Sequence, residues 1–456
     1  MCAAVCMLAF GCQRSENSES EPVQNPVGQL SAEQVEILSM REDYKVSISD
    51  ARRQALEASA LFDADRTRAS QRTVDNVHCL LGDNTTRSGD AAAIPDTLFY
   101  VVNFSDEAGF SIVSADKRLD GVYAFVPEGK FRTDTIDNPG MAIYLGMLED
   151  YSIAEISRIA KTQDSLLALY PQLADASYAL QGDTRASSTY DVAEPWVNSL
   201  IYGPFETPEW GQRAPYNNKC PLVSGEHALA GCVAIATAQA VAHYKKPKTH
   251  NGHTYDWDNI WAYSNDPSSL TNEQTAKAED DIATLVRRIG DLVKMDYGKD
   301  ASGANSQKVE KCLETLGFKS GNYTSYDRDD IIASLKDGLL VYTRGECFKK
   351  TTLGIASYSG GHAWVIDGFV RQIQVINSYY TDTGRLASTK TENRNLFHCN
   401  WGHNGVYNGF FRNLEFDKKN PDANYDDEII EAEQTRAKSG KDGFYQYRLK
   451  VIKYIR

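Results

Sequence analysis

Three short segments in the C-terminal half carry side chains that could together break an amide bond. They are Gly231-Cys232-Val233-Ala234-Ile235-Ala236-Thr237-Ala238-Gln239, then Gly360-Gly361-His362-Ala363-Trp364-Val365-Ile366-Asp367-Gly368, then Asn400-Trp401-Gly402. A thiol is mostly protonated near neutral pH, and the thiolate is the nucleophile. Cys232 heads an alanine-rich run, and a helix N-terminus favours the anion through its free N–H groups and dipole. His362 suits a group that takes the thiol proton and returns it to a leaving amine. Asn400 can accept from one ring nitrogen of that histidine and fix its tautomer, with Trp401 screening the bond from water. Gln212 lies twenty residues before Cys232. Its amide N–H and the backbone N–H of Cys232 would make a two-donor oxyanion hole. Each residue alone has a plainer reading: a buried structural thiol, a core histidine, a packed tryptophan, a surface glutamine. The chain order Gln…Cys…His…Asn-Trp is what suggests an acyl-transfer site, because roles rather than spacing define such sites.

The elements that must position these groups are legible in outline. Val233 to Tyr244 has no Gly or Pro inside, and Lys245-Lys246-Pro247 ends it, so a helix is expected. Its apolar residues run nearly all round, as in a helix crossing a core. Gly231 lets a substrate backbone come close. Alternation puts His362, Trp364 and Ile366 on one strand face and Ala363, Val365 and Asp367 on the other. Further strands are expected at Leu339–Thr343, Val375–Tyr379, Leu396–Asn400 and Tyr445–Tyr454. Helices first and strands later make an α+β unit rather than alternating βαβ units.

The N-terminal half reads as a second, smaller α+β unit. Leu30 to Phe62 is helical in pattern, and Gln71 to Asp96 is polar and loop-like. Thr97–Phe104 and Gly109–Ala115 form a predicted hairpin, and Val122–Val126 a third strand. Asn138-Pro139-Gly140 opens a helix through Ile159, and a second helix is expected over Ser165–Leu180. Gln181 to Thr189 has no apolar periodicity and reads as an exposed linker, the kind of segment proteases cut. The organisation expected is a leader and tether over 1–29, a small domain over 30–186 and a larger one over 187–456.

Composition excludes several functions. The net charge of −14, with no basic stripe, argues against a nucleic-acid partner. The nine cysteines show no CxxC pairs or ligand spacing, and His250 and His253 have no evident ligand set around them. No metal site and no cofactor are expected. Met1 to Cys12 is apolar and ends in small residues, like a secretory h-region. Leu8-Ala9-Phe10-Gly11-Cys12 resembles a loose bacterial lipobox, which would make Cys12 the lipidated residue and attach the protein to the outer membrane. A simply cleaved signal peptide is the other reading.

Together these motifs resemble the streptopain-type secreted cysteine peptidases. The matching segments are Trp210-Gly211-Gln212 with Pro215-Tyr216-Asn217, Gly231-Cys232-Val233-Ala234, Tyr255-Asp256-Trp257-Asp258-Asn259-Ile260, Met295-Asp296-Tyr297-Gly298, Gly360-Gly361-His362-Ala363, Asn400-Trp401-Gly402 and Gly409-Phe410-Phe411. Tyr100 to Val126 is similar to the family's inhibitory propeptide. The resemblance implies a papain-like two-subdomain peptidase behind an α+β propeptide, made as a zymogen whose propeptide disturbs the catalytic histidine. It implies Cys232 as nucleophile, His362 as general base, Gln212 as oxyanion donor, and Asn400 and Trp401 as the orienting pair. Gly361, Ser302 and Gly303 would touch substrate backbone. Protein or peptide substrates with an apolar residue two positions before the scissile bond are implied as well. Two departures stand out: His403 replaces a second tryptophan, and the loop from Arg371 to Asn395 is long. A papain-fold acyltransferase or amidase, and a non-catalytic surface-binding lipoprotein, are the alternative classes.

Overall fold

The computed structural model describes residues 30–40, 44–63, 72–82, 94–174, 189–414 and 447–456. The leader, Cys12 and the linker up to residue 188 lie outside these residues.

The N-terminal unit is built on strands β1 (Val74–Leu81), β2 (Thr97–Phe104), β3 (Phe110–Ser114) and β4 (Val122–Val126), each antiparallel to the next. The expected β2–β3 hairpin forms, with Val101 opposite Ile112. Strand β1 lies where the sequence suggested a loop. Asp75, Asn76 and His78 break its alternation, and only Leu80 is fully buried, so pattern alone hides it. Helix α1 (Ala32–Ser39) packs on α3, and α2 (Ile48–Asp63) packs on the sheet. Helix α3 (Pro139–Leu169) replaces the two helices expected there. The polar stretch at Thr162-Gln163 does not break it. Thr162 Oγ1 donates back to the Arg158 carbonyl, and Gln163 bonds the Ile37 carbonyl and the Tyr44 hydroxyl. Asn138 caps α3, accepting from the Met141 N–H at 3.0 Å, and Pro139 takes the first helical position, where it needs no N–H partner.

The C-terminal unit places α4 (Cys232–His243) through an apolar core, its residues from Val233 to Ala242 all buried. It packs against a sheet centred on β11 (Gly360–Tyr380) and β12 (Leu386–Asn400). The stretches His362–Asp367 and Val375–Tyr379 are thus one strand, and Arg371 to Asn395 is mostly this hairpin rather than a loop. The free edge of β11 pairs in turn with β9 (Val341–Cys347), β7 (Val197–Tyr202) and β6 (Thr189–Ala193). The expected C-terminal strand is short, β14 (Lys450–Ile452), and Tyr445 lies outside the described residues. The alternation read for His362 to Asp367 holds. Trp364 and Ile366 enter the core shared with the N-terminal unit, and Ala363 and Val365 enter the core around α4.

The two units join by strand pairing. Strand β13 (Gly409–Arg412) pairs with β12 on one side and β4 on the other, Phe410 opposite Phe125. One continuous sheet of twelve strands results among the described residues. Beside it, Met141 and Leu145 of α3 share a core with Trp364, Trp401 and Phe411. Lys349 bonds Glu149 at 2.8 Å, and the Leu353 N–H bonds the same carboxylate.

Candidate active site

Gly231 has φ of +85°, and a Cβ there would fall 2.7 Å from the Met295 side chain. Glycine therefore sets the entry to α4 and brings Cys232 to its first position. The sulfur lies beside three backbone N–H groups, those of Ala363, Val233 and Cys232 itself, with Arg344 close enough for its charge to act. Burial pushes the thiol up, and these four groups pull it back only in part. Gln212 is tied to the same turn, its carbonyl accepting from the Ala230 N–H at 2.9 Å. Its side chain is half-buried. The Ser302 carbonyl lies 3.3 Å from the Cβ position of Gly231, and Gly303 exchanges backbone bonds with Asp296 beside an open space. Gly361 is exposed, its carbonyl accepting from the Tyr358 hydroxyl at 3.2 Å. Tyr358 and Arg344, both beside Cys232, carried no sequence signal.

His362 is buried, and its Nε2 donates to the Trp401 carbonyl at 2.7 Å. No hydrogen bond joins it to the Cys232 thiol, although Ala363, the next residue, reaches the sulfur. The Asn400 side chain makes no hydrogen bond to the histidine, which corrects the expected orienting bond. Its two N–H groups go to Thr207 Oγ1 and the Pro208 carbonyl. Its oxygen accepts from Gln239 Nε2 at 3.0 Å and the Gly402 N–H at 3.2 Å. All its bonding capacity is used, so Asn400 staples α4 to the 207–208 loop. Trp401 supplies a carbonyl to the histidine rather than a ring over an Asn–His bond. Its indole N–H donates to the Tyr407 carbonyl at 2.8 Å.

The N-terminal unit covers this arrangement. Strand β5 (Thr135–Ile136) pairs in parallel with β10 (Ile355–Ser357), and the Ile136 carbonyl accepts from the Tyr358 N–H. Asn138 Nδ2 donates to the Val406 carbonyl at 2.7 Å, and Gly140 lies against the Trp401 ring. The chain from 135 to 140 thus bridges the two loops that flank His362. Burial pulls the His362 pKa down to about 4, opposed by the Trp401 carbonyl and aided by His403.

A separate group corrects the reading of His253. Asp281 lies 2.6 Å from its Nε2, and Asp280 is close by. Lys277 and the Asp256 N–H also bind Asp281, and Lys219 pairs Asp280. These partners make it a neutralised ion-pair network.

Residues 210–411 match the Peptidase C10 family, and residues 45–152 match the Spi protease inhibitor family. Streptopain of Streptococcus pyogenes is 26% identical over 362 residues, covering 71% of this chain and 75% of that protein. The thiol protease/hemagglutinin PrtT of Porphyromonas gingivalis is 26% identical over 358 residues, covering 71% of this chain and 35% of that protein. A fragment of prointerpain A from Prevotella intermedia covers 79% of this chain and 96% of its own, with TM-score 0.46 and 20% identity. Residues 210–411 thus form a streptopain-type Peptidase C10 domain, and an inhibitory propeptide domain precedes it. It is a cysteine endopeptidase.

Neutral burial of His362 makes the closed form sensitive to acid. The folded pKa near 4 lies below the ordinary 6.5. Between those values the unfolded chain binds more protons, so stability falls as pH drops from 6.5. At pH 5 the loss from this residue is about 2 kcal/mol. Urea unfolding of the full chain at pH 7 and pH 5 should show that loss, and a His362→Gln chain should lack it. Equal losses in both chains would exclude His362 as the source.

Proposed function

We propose that the chain is a secreted zymogen in which Cys232 and His362 are the catalytic pair. His362 takes the thiol proton, and the thiolate attacks the substrate carbonyl. The acyl-enzyme forms as the amine leaves with that proton, and water then releases the acyl group. The backbone N–H of Cys232 and the Gln212 amide are assigned to the developing oxyanion, and the backbone at Gly361, Ser302 and Gly303 to substrate. Trp401 is assigned to the histidine through its carbonyl. The observation that carries the reading is the pairing of Ala363 N–H with the Cys232 sulfur while His362, one residue away, is held under the 135–140 segment. The thiol meets the histidine's strand at Ala363, and the imidazole is bonded to the Trp401 carbonyl instead of the thiol while the propeptide is docked.

Maturation is assigned to a cut between Gly182 and Tyr190, with Arg185 a candidate position. The domain division at 186/187 rests on that assignment. Export, with Cys12 as a lipid anchor to the outer membrane, rests on the leader sequence alone. Mass spectrometry after treatment with an epoxide inhibitor tests the central claim. The label should sit on Cys232 of a shortened chain beginning between residues 183 and 190. A label on another cysteine, or equal labelling of the uncut chain, would overturn it.

A further inference from the structure

A pocket of about 610 Å³ opens at the seam of the two units, and none of its walls comes from the cysteine site. Its lining includes α2, Gly121 and Arg118 on one side, and Trp196, Lys390–Arg394 and Arg412 on the other. Six basic side chains face it. Five have carboxylate partners: Arg53 with Asp50 and Glu57, Arg118 with Asp116, Arg158 with Glu155, Lys390 with Glu392, and Arg412 with Asp120. Among the described residues, Arg394 has none, and it is only 6% exposed.

Arg394 is firmly placed. Its Nε donates to Gln372 Oε1 at 2.6 Å, Gln372 donates to Asn198 Oδ1 at 2.9 Å, and Asn198 donates to the Leu61 carbonyl at 2.8 Å. The guanidinium lies over the Trp196 ring at 4.2 Å. Its terminal N–H groups have no acceptor among the described residues. A buried guanidinium without an ion pair is costly: burial together with Arg412 pulls its pKa down to about 9, and the charges of Asp120 and Glu57 oppose that only in part. A planar fork with free N–H groups fits the two oxygens of an oxyanion.

We propose that this pocket binds an oxyanion of the phosphate class, gripped by the terminal N–H groups of Arg394. Its walls come from both units, so the anion binds the uncut form and ties the propeptide to the enzyme. By mass action it would stabilise that form and slow maturation.

The test uses the full chain carrying Cys232→Ala, with ionic strength held by chloride, so it needs no peptidase activity. Inorganic phosphate should give a saturable rise in Tm of about 2 °C or more. Calorimetry should show one site. R394Q should abolish both effects. If R394Q does not fold, G121D serves instead, since a Cβ there lies 4.0 Å from Arg394 Nη1. Its carboxylate should block phosphate and raise Tm in phosphate-free buffer. Acetate, which mimics a side-chain carboxylate, should shift Tm less than phosphate. No saturable phosphate binding, binding that survives R394Q (or G121D where R394Q does not fold), or an equal acetate shift would each overturn the proposal.

Discussion

A mature enzyme carrying Cys232→Ala should hydrolyse peptides about 10⁴-fold or more slowly than wild type, from the scale of nucleophile loss in hydrolases. A covalent route has no substitute for its nucleophile, and the fold offers none near. Among the described residues, the hydroxyls of Tyr358 and Tyr342 are close enough to feel the sulfur's charge, and desolvation raises the pKa of both, so they are poor replacements. His362→Ala should lose activity by a similar factor. The double variant should lose no more than the worse single one, because thiol and imidazole act as one unit. Each variant must be matured by an added protease, as none can cut itself. The measurement is kcat/KM on one peptide for the three variants. Multiplying losses would mean that the two residues act separately, which the proposed proton transfer forbids.

The same pair shows what the residue pattern revealed. Cys232 was legible because a glycine needed for a +85° turn precedes a run that only a buried helix explains. His362 was legible because period-two alternation across Ala363 and Trp364 sorts residues between two cores, and the fold keeps that sorting. Asn400 was misread for a physical reason. Its partners Gln239, Thr207 and Pro208 are 161 to 193 residues away in the chain, and nothing local records that they fill its bonding capacity. The long α3 was misread because Gln163 finds its partners on α1 and at Tyr44, again far in sequence. Strand β1 was hidden because a half-exposed strand needs little apolar alternation when a neighbour supplies the pairing. Local pattern located elements whose burial is one-sided or complete. It failed where a polar side chain is satisfied from a distance.

Distance also explains how the propeptide holds the histidine, and Gly140 is the point to test. It sits behind Pro139 in the first turn of α3, and a Cβ there would lie 2.1 Å from Trp401 Cε3. Trp401 cannot yield. Its indole N–H is bonded to the Tyr407 carbonyl, its backbone N–H to Asn408, and its ring is packed on Trp364 and Phe411. Gly140→Val must therefore lift the start of α3 at a cost of about 3 kcal/mol or more, at the high end for overpacking. Lifting that turn strains the Asn138–Val406 bond and the pairing of Ile136 with Tyr358, the contacts that bridge the loops around His362. The uncut chain should then open about 10²-fold more often, since 1.4 kcal/mol is a tenfold change. With the linker made resistant to cleavage, Gly140→Val should hydrolyse a small peptide about 10²-fold faster than the same chain with Gly140. Gly140→Ala should fall between them. Separately matured enzymes from both chains should be identical, because residue 140 is removed with the propeptide. If the uncut Gly140→Val chain is as silent as its parent while still folded, the lock lies elsewhere than between α3 and Trp401.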